Sequence, residues 1–440
     1  MRDLNPEQLI AAAPETLRTV MTALHAAGCG VWIVGGAIRD WLLNSRPHDW
    51  DLATTASSDQ VLRLFPRVIP VGLSHGTVKI HTPELDVEIT VCPPGPATNP
   101  RILADLARRD FTINAMAVQY PSGSWLDPHG GVRDLAARRL RAVGDAGERF
   151  REDPLRTLRA ARLASTWGFH LTATTYSAMR GEAPGLSVVA CERIRDEMLK
   201  LLIGPHVLEA FSLLRRAGIL KIILPELLEG VRKRQNAYHR HDVYHHTLYT
   251  VHHSPPRTRV RLAALLHDIG KPRVRRRIRG AFHFHGHAKV GATMAQEILT
   301  RWKMPLRITE QIRTLIANHM LLDIERWSDA AVRRLMVRVG QDLLDDLLDL
   351  AEADHLAHGT EIAGSAVGSL RRRIAQQLHQ QPALHITDLA IDGHDVMRTL
   401  AISPGPDVGR VLKSLQRNVL KRPELNQRST LLAMLSHHEY

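Results

Sequence analysis

The sequence predicts a small α/β head followed by an all-α neck, body and tail. Three observations predict this. Short β-rich runs bounded by Gly, Pro or Asn crowd the first third of the chain. From Asp153 onward nearly every segment spaces its apolar residues three and four apart, the helical period. At 440 residues the chain is also too long for one ordinary core, so several domains are expected.

Taken in order, a helical pattern over Glu7–Ala27 leads into the strand-like GVWIVGG (30–36), and a second helix is expected over Ala37–Leu43. Strand-like DWDLATT (49–55), VGLSHGTVKIHT (71–82) and LDVEITV (85–91) follow, and the head closes near Gly144. The helical set includes DPLRTLRAARLAST, CERIRDEMLKLLI, PHVLEAFSLLRRAG, RLAALLHDIG, GATMAQEILTRWK and QDLLDDLLDLAEADHLAH. Four regions result: a head over 1–145, a helical neck and body over 146–235, a histidine-rich domain over 236–360, and a helical tail over 385–440.

Bulk properties narrow the function classes. Hydrophobic residues are 44% and charged ones 23%, and no run approaches the roughly 18 apolar residues of a membrane span. The N-terminus is polar and acidic where a signal peptide would be basic and then apolar, so a cytoplasmic protein is expected. Cys29, Cys92 and Cys191 are too scattered for a disulfide framework or a zinc knuckle. The formal charge of +13 is locally concentrated in RKRQNAYHRH (232–241) and KPRVRRRIRG (271–280), which favours a nucleic-acid partner.

Chemistry concentrates first in VGGAIRDWLLNSRPHDWDLATTA (34–56). On a strand Asp49 and Asp51 project to one face, while Trp50 and Leu52 point to the other. Two hard anionic oxygens side by side suit Mg²⁺, which takes one or two carboxylates plus substrate phosphates. Such ions activate an attacking hydroxyl and neutralise a leaving pyrophosphate. An edge strand with a solvated acidic face would show the same doublet. What separates the two readings lies upstream: Gly35 and Gly36 let backbone approach a phosphate, and Arg39 sits one turn into the next helix, able to fork onto phosphate oxygens.

In EDPLRTLRAARLAS (152–165), Asp153 followed by Pro154 is a helix start, with Asp as N-cap and Pro at N1. That does not account for Arg156, Arg159 and Arg162, which make one cationic stripe. A carboxylate can accept from the exocyclic amine of cytosine or adenine while an arginine donates to the neighbouring ring nitrogen. Uracil and guanine present a carbonyl at that place and are left unmatched.

GGAIRD with DWDLATTA, DLARRDFTINAMA (105–117), WLDPHGGVRDL (125–135), EDPLRTLRAARLAS (152–165) and CERIRDEMLKLL (191–202), in that order, resemble the motifs of the class II tRNA nucleotidyltransferase and poly(A) polymerase family. The likeness runs over essentially the whole chain. It implies that Asp49 and Asp51 are the catalytic carboxylates that hold Mg²⁺, and that Gly36, Arg39 and Arg109 contact the nucleotide. It also implies that Asp153 with Arg156 acts as an amino-acid template for the base, with Arg159 and Arg162 as further nucleotide contacts. The chain departs from the family at VCPPGPATNPRILA (91–104), where a Phe-Arg segment and a mobile stretch are absent. In the family that loop is associated with switching from cytosine to adenine, and enzymes adding only two cytidines typically lack it. A CC-adding enzyme is therefore expected, with a harmless loop trim as the alternative.

A second set of clusters, DVYHHTLYTV, LAALLHDIGKP, FHFHGHAKVGA, LIANHMLLD and LAEADHLAH, resembles the HD phosphohydrolase superfamily. Among 25 histidines any single one is unremarkable, but clusters in a fixed order are informative. The resemblance implies His246, His267, Asp268, His287, His319 and Asp354 as metal ligands, with His246 preferred to His245 because it directly precedes the apolar stripe. Imidazoles and carboxylates together suit a transition metal such as Ni, Mn or Co, or Mg²⁺, that activates water for phosphoester hydrolysis. Lys271 is expected to steady a phosphate. The alternative is a helical scaffold that only grips tRNA. The tail 389–435 also looks like that of HD-bearing relatives, with SPGPDVGRVL a turn into a helix set against a phosphate backbone, or else a closing hairpin.

The function expected is addition of CMP, and of AMP if the loop is merely trimmed, to the tRNA 3′ end from CTP and ATP with release of pyrophosphate. A poly(A) polymerase of the same class, an HD phosphohydrolase with an inactive head, and a non-catalytic RNA-binding protein are the competing readings.

Overall fold

A computed structural model describes residues 2, 5–47, 49–65, 68–70, 77–81, 86–92, 98–235, 240–321, 323–358, 364–380 and 383–437. Compactness divides the chain into two units, 1–197 with 209–223, and 198–208 with 224–440.

The first unit opens with α1 (Pro6–Ala12) and α2 (Glu15–Ala26) where one helix is expected over Glu7–Ala27. Pro14 causes the break: a proline disfavours helical backbone in the residue before it, and Ala13 is extended at φ −64°, ψ 140°. There follow β1 (Val31–Val34), α3 (Gly36–Leu42), β2 (Asp51–Thr54), α4 (Ser58–Leu64), β3 (Val68–Pro70), β4 (Thr77–His81), β5 (Asp86–Val91), α5 (Thr98–Ala107), β6 (Ala117–Tyr120), β7 (Trp125–Leu126), α6 (Gly131–Ala136) and β8 (Arg139–Leu140). The expected strand at 71–82 is described only as β4, since 71–76 and 82 lie outside the described residues.

The head sheet runs β3-β4-β5-β2-β1-β6-β7. Its pairs are antiparallel except β2 with β5, which is parallel. Every residue of β1 is buried because the strand is central and covered on both faces, which is why it reads as an unbroken apolar run. Ile102 and Leu106 of α5 pack in one core with Trp32, Val34 and Ala53. The helix α5 begins within the short segment 91–104 and runs past it; Ile102 and Leu106 are apolar at helical spacing, while residues 93–97 lie outside the described residues.

Helices continue the unit: α7 (Ala146–Glu152), α8 (Leu155–Trp167), then β9 (His170–Leu171), α9 (Ala173–Glu182) and the start of α10 (Cys191–Leu202), with most of α11 (Val207–Arg216) and α12 (Leu220–Ile223).

The second unit comprises α13 (Pro225–Leu228), α14 (Val243–His253), α15 (Thr258–Leu266), α16 (Lys271–Val274), β10 (Arg276–Ile278), β11 (Ala281–His283), α17 (His287–Arg301), α18 (Leu306–Asn318), α19 (Asp329–Val339), α20 (Gln341–His358), α21 (Gly364–His379), α22 (Gly393–Leu400), α23 (Pro406–Lys421) and α24 (Arg428–Ser436). The antiparallel β10–β11 ribbon corrects the expectation that only the first third holds strands. Its first strand, Arg-Arg-Ile, is arginine-rich where hydrophobic alternation would signal a strand, and Arg275 just before it is stacked 3.6 Å from the Phe282 ring centroid. The last three helices close around Val396, Val411, Leu415, Leu431 and Leu435. Among the described residues no helix is long and apolar enough to cross a membrane.

Candidate active sites

In the head, β1 ends at Val34 and the chain turns through Gly35 at φ 74°, a conformation side chains rarely adopt. A Cβ there would lie 2.8 Å from Arg109 Nη1 and 3.4 Å from Asp51 Oδ2. The bare backbone thus lets a guanidinium and a carboxylate close in on it from two other elements. A Cβ on Gly36 would lie 3.3 Å from Arg39 Nη2, so both glycines are lined by charged groups.

Strand register places the acids. Asp51 lies opposite Val34 of β1 and is paired in parallel register with Glu88 of β5. Trp50 and Leu52 are buried, Asp51 is half-buried, and Asp49, just before β2, is exposed. Burial pushes the Asp51 carboxyl up to about 6; Arg109 opposes this, and the charges of Glu88 and Asp49 add to it. A site that crowds negative charge around a half-buried carboxyl is short of a cation, so these residues fit a divalent metal. Glu88 escaped the sequence reading, because its nearness to Asp51 depends on pairing between strands far apart in the chain.

The arginines are braced. Arg39 donates from Nε to Asp40 Oδ1 at 2.8 Å and from Nη1 to Asn114 Oδ1 at 2.6 Å. Arg109 donates from Nε to Asp105 Oδ2 at 3.0 Å, which leaves its Nη1 end turned to Gly35. Buried Asp110 accepts from the Phe111 amide and Asn114 Nδ2 and lies 3.1 Å from Arg159 Nη2. Burial alone would raise the Asp110 carboxyl, but Arg159 and these hydrogen bonds outweigh it and hold it low. The DLARRDFTINAMA stretch therefore works largely as a brace for Arg39, Arg109 and Arg159. WLDPHGGVRDL is architectural: Asp127 accepts from the Gly131 and Val132 amides at 2.6 and 3.0 Å, and a Cβ on Gly131 would meet Thr112 O at 2.3 Å.

Asp153 follows α7, and its Oδ1 accepts from the Leu155 amide at 3.3 Å, a capping contact with α8 starting one residue later than expected. The structure sets Asp153 against Arg193 of α10, whose Nη1 and Nη2 donate to Oδ1 and Oδ2 at 3.2 and 2.8 Å. Arg156 donates to Arg149 O, Glu152 Oε2 and Arg108 O at 2.9, 3.1 and 2.9 Å. Arg162 donates to Glu197 Oε2 at 2.6 Å. Each arginine of the stripe therefore has an anionic partner, and Arg193 is a contact that sequence reasoning missed.

In the second unit His246, His267, Asp268, His287, His319 and Asp354 come together from α14, the α15–α16 junction, α17, the end of α18 and α20. His246 Nε2 lies 2.8 Å from Asp354 Oδ1 and 3.4 Å from Asp268 Oδ2; His267 Nε2 lies 3.2 Å from Asp268 Oδ2. On the other side Asp268 Oδ1 faces His287 and His319 at 3.5 and 3.8 Å, and those two Nε2 atoms are 3.3 Å apart. His358, one turn after Asp354, joins His246 and Asp354 with ligand atoms within 4.8 Å; its helical spacing could have revealed it. His245 is exposed, and its Nδ1 lies 2.7 Å from Asp242.

Aim and charge both fit a metal here. The Nδ1 atoms of His267, His287 and His319 lie 2.7, 2.8 and 2.7 Å from the carbonyls of Ala264, Phe284 and Ile316, so each Nδ1 carries the proton and each Nε2 offers a lone pair inward. His267 Nε2 and both Asp268 oxygens are buried without a well-formed hydrogen bond. Burial opposes charge on His267, yet Asp268 and Asp354 raise it to about 10; burial lowers His319 to about 4. A divalent cation would take the place of the proton His267 otherwise holds. Lys271 corrects one expectation: its buried Nζ lies 2.6 Å from Asp268 Oδ2 and donates to Gln235 Oε1 at 2.7 Å, so its charge balances the cluster from within rather than waiting for a phosphate.

Comparison with known proteins adds three family models: the poly A polymerase head domain over residues 31–141, the RNA and SrmB-binding site of polymerase A over 168–230, and tRNA nucleotidyltransferase domain 2 over 283–435. An A-adding tRNA nucleotidyltransferase from Deinococcus radiodurans is 35% identical over 88% of this chain and 90% of its own. A CC-adding tRNA nucleotidyltransferase from Thermus thermophilus is 35% identical over 87% and 88%. A crystal structure of the Bacillus stearothermophilus CCA-adding enzyme in complex with CTP is 28% identical, with a TM-score of 0.73 over 100% of this chain and 98% of that one.

Proposed function

The chain belongs to the tRNA nucleotidyltransferase and poly(A) polymerase family, and from that premise we propose that it builds the two cytidines of the tRNA 3′ end from CTP. It is an enzyme of tRNA 3′-end synthesis whose partners are tRNA, CTP and ATP. The observation that carries the chemistry is the convergence of Asp51, Arg109 and the bare Gly35 turn, with Asp49 and Arg39 beside it.

In this reading the tRNA 3′-oxygen bonds to the α-phosphorus as the bond to pyrophosphate breaks in line, and the hydroxyl proton is lost. Asp49 and Asp51 would hold Mg²⁺, which supplies charge neutralisation and hydroxyl activation when bound. Gly36 leaves room for the triphosphate, while Arg39 and Arg109, held by Asn114 and Asp105, counter its charge without having to reorganise. Asp153 accepts from the exocyclic amine of the base, Arg156 donates beside it, and Arg159 and Arg162 line the same helix.

Restriction to CC rests on the short connection at 91–104. An A-adding activity is the second reading, since the A-adding and CC-adding relatives are equally identical to this chain. Sequencing the 3′ ends made from tRNA lacking CCA, with CTP alone, ATP alone and both, separates them. Two cytidines and no efficient terminal A is the expected result. Completion to CCA overturns the CC assignment, A added only to tRNA already ending in CC supports the second reading, and a long A tract supports a poly(A) polymerase.

The HD cluster is proposed as a second metal centre: His246, His267, Asp268, His287, His319 and Asp354 would hold Ni, Mn, Co or Mg²⁺, supplying an activated water for phosphoester hydrolysis. The convergence of His246, His267, His287 and His319 Nε2 on the buried Asp268 carboxylate supports it. Metal analysis of His267→Ala beside the parent tests it; equal metal content removes the proposal. A reducing cytoplasm completes the reading, consistent with Cys29, Cys92 and Cys191 being free thiols.

A further inference from the structure

We propose that Arg193 is a positioning residue for base selection, fixing the carboxylate of Asp153 so that it rejects a base carbonyl. The inference rests on the reading that Asp153 and Arg156 select the base.

Its starting point is how little else aims Asp153. The residue lies between α7 and α8 with extended backbone at φ −144°, ψ 96°, and its side chain is partly open to solvent. Besides Arg193, its side chain meets the Leu155 amide at 3.3 Å on Oδ1, a long contact. Arg193 supplies two parallel N–H donors, to Oδ1 at 3.2 Å and Oδ2 at 2.8 Å, and a fork of this kind fixes the carboxylate plane as a single contact does not. A carboxylate has about four acceptor sites, so one remains for a base amine after these three contacts.

Discrimination follows from that fixed plane. Cytosine offers an N–H where uracil offers a carbonyl oxygen. An immobile carboxylate meets the carbonyl as lone pair against lone pair, and the clash is retained. A carboxylate free to swing turns away from the carbonyl and accepts a bridging water, so uracil is tolerated. Arg193 comes from α10, forty residues beyond Asp153, and in this reading it acts through that carboxylate.

The test compares kcat/KM for CTP and UTP on tRNA lacking CCA, in the full-length parent, Arg193→Ala, Arg193→Lys and Asp153→Ala. Arg193 is half exposed, so folding of the variants is expected, and thermal unfolding checks it. The CTP-over-UTP ratio should fall about tenfold in Arg193→Ala, chiefly through a gain with UTP, a change within reach of one lost charge-assisted contact. Arg193→Lys, which keeps the charge and loses the fork, should lie between. If Asp153→Ala loses discrimination and Arg193→Ala keeps the parent ratio, the inference is wrong, whatever happens to the absolute rates. Should Asp153→Ala itself discriminate normally, the base-reading assignment fails first. Equal losses for CTP and UTP in Arg193→Ala also overturn it, since they mark a structural role.

Discussion

The head site and the histidine cluster solve opposite problems with similar atoms. In the head, Asp49 is exposed, Asp51 half-buried and Glu88 exposed, and the three are gathered by strand register and chain order. In the second unit the six candidate ligands and His358 converge from α14, the α15–α16 junction, α17, the end of α18 and α20, and the six are buried except for part of Asp354. An open acidic edge leaves coordination positions for substrate phosphates and lets a hard ion exchange. A closed cage of imidazoles and carboxylates suits an ion that stays. The head residues would thus suit a metal that comes with its substrate, and the histidine cluster one that the protein itself holds.

The sharpest way to break this contrast is to remove one acid from the head. Asp51→Ala should reduce CMP addition by about a thousandfold or more while leaving metal bound to the second unit unchanged, read by steady-state kinetics and elemental analysis of one sample. Chelation should divide the sites the same way: brief EDTA treatment abolishes CMP addition, Mg²⁺ alone restores it, and the metal of the cage is retained. Loss of both metals at the same rate would erase the distinction.

Smaller effects sharpen it. Below a pH of about 6 Asp51 becomes protonated, so a metal must displace a proton there; above it the carboxylate is already charged. The Mg²⁺ concentration giving half-maximal CMP addition should therefore rise about tenfold for each pH unit below 6 and flatten above it. Gly35→Ala should cost about 1–3 kcal/mol in denaturant unfolding, from positive φ and the approach to Arg109, and weaken CTP binding. Smallest is Glu88→Gln: since the charge of Glu88 raises Asp51, removing it should move the pH midpoint of Mg²⁺ activation below 6.

What the sequence made legible was local. Asp49 and Asp51 lie two apart where the chain enters β2, Gly35 and Gly36 adjoin a buried strand, and His267 and Asp268 are neighbours, so spacing alone pairs them with chemistry. Glu88 was not legible, because only the parallel pairing of β5 with β2 brings it to Asp51. Arg193 is legible within a motif but without a role, because its partner lies forty residues earlier, between α7 and α8. Lys271 is expected from its position to steady a phosphate; burial, visible only in three dimensions, ties it to Asp268. The β10–β11 ribbon hid for a different reason: cation–ring stacking holds it where apolar alternation would have announced it.

The short bonds from His267, His287 and His319 to carbonyls three residues earlier have a consequence for the ions the cage accepts. Each ring takes its bearing from its own turn of chain rather than from a neighbouring helix. When the helices drift apart by a fraction of an ångström, the rings move outward without swivelling, and their lone pairs still meet at one centre. A cage aimed in this way would keep its focus while its diameter changed, so any divalent ion it held would be selected more by donor chemistry than by radius.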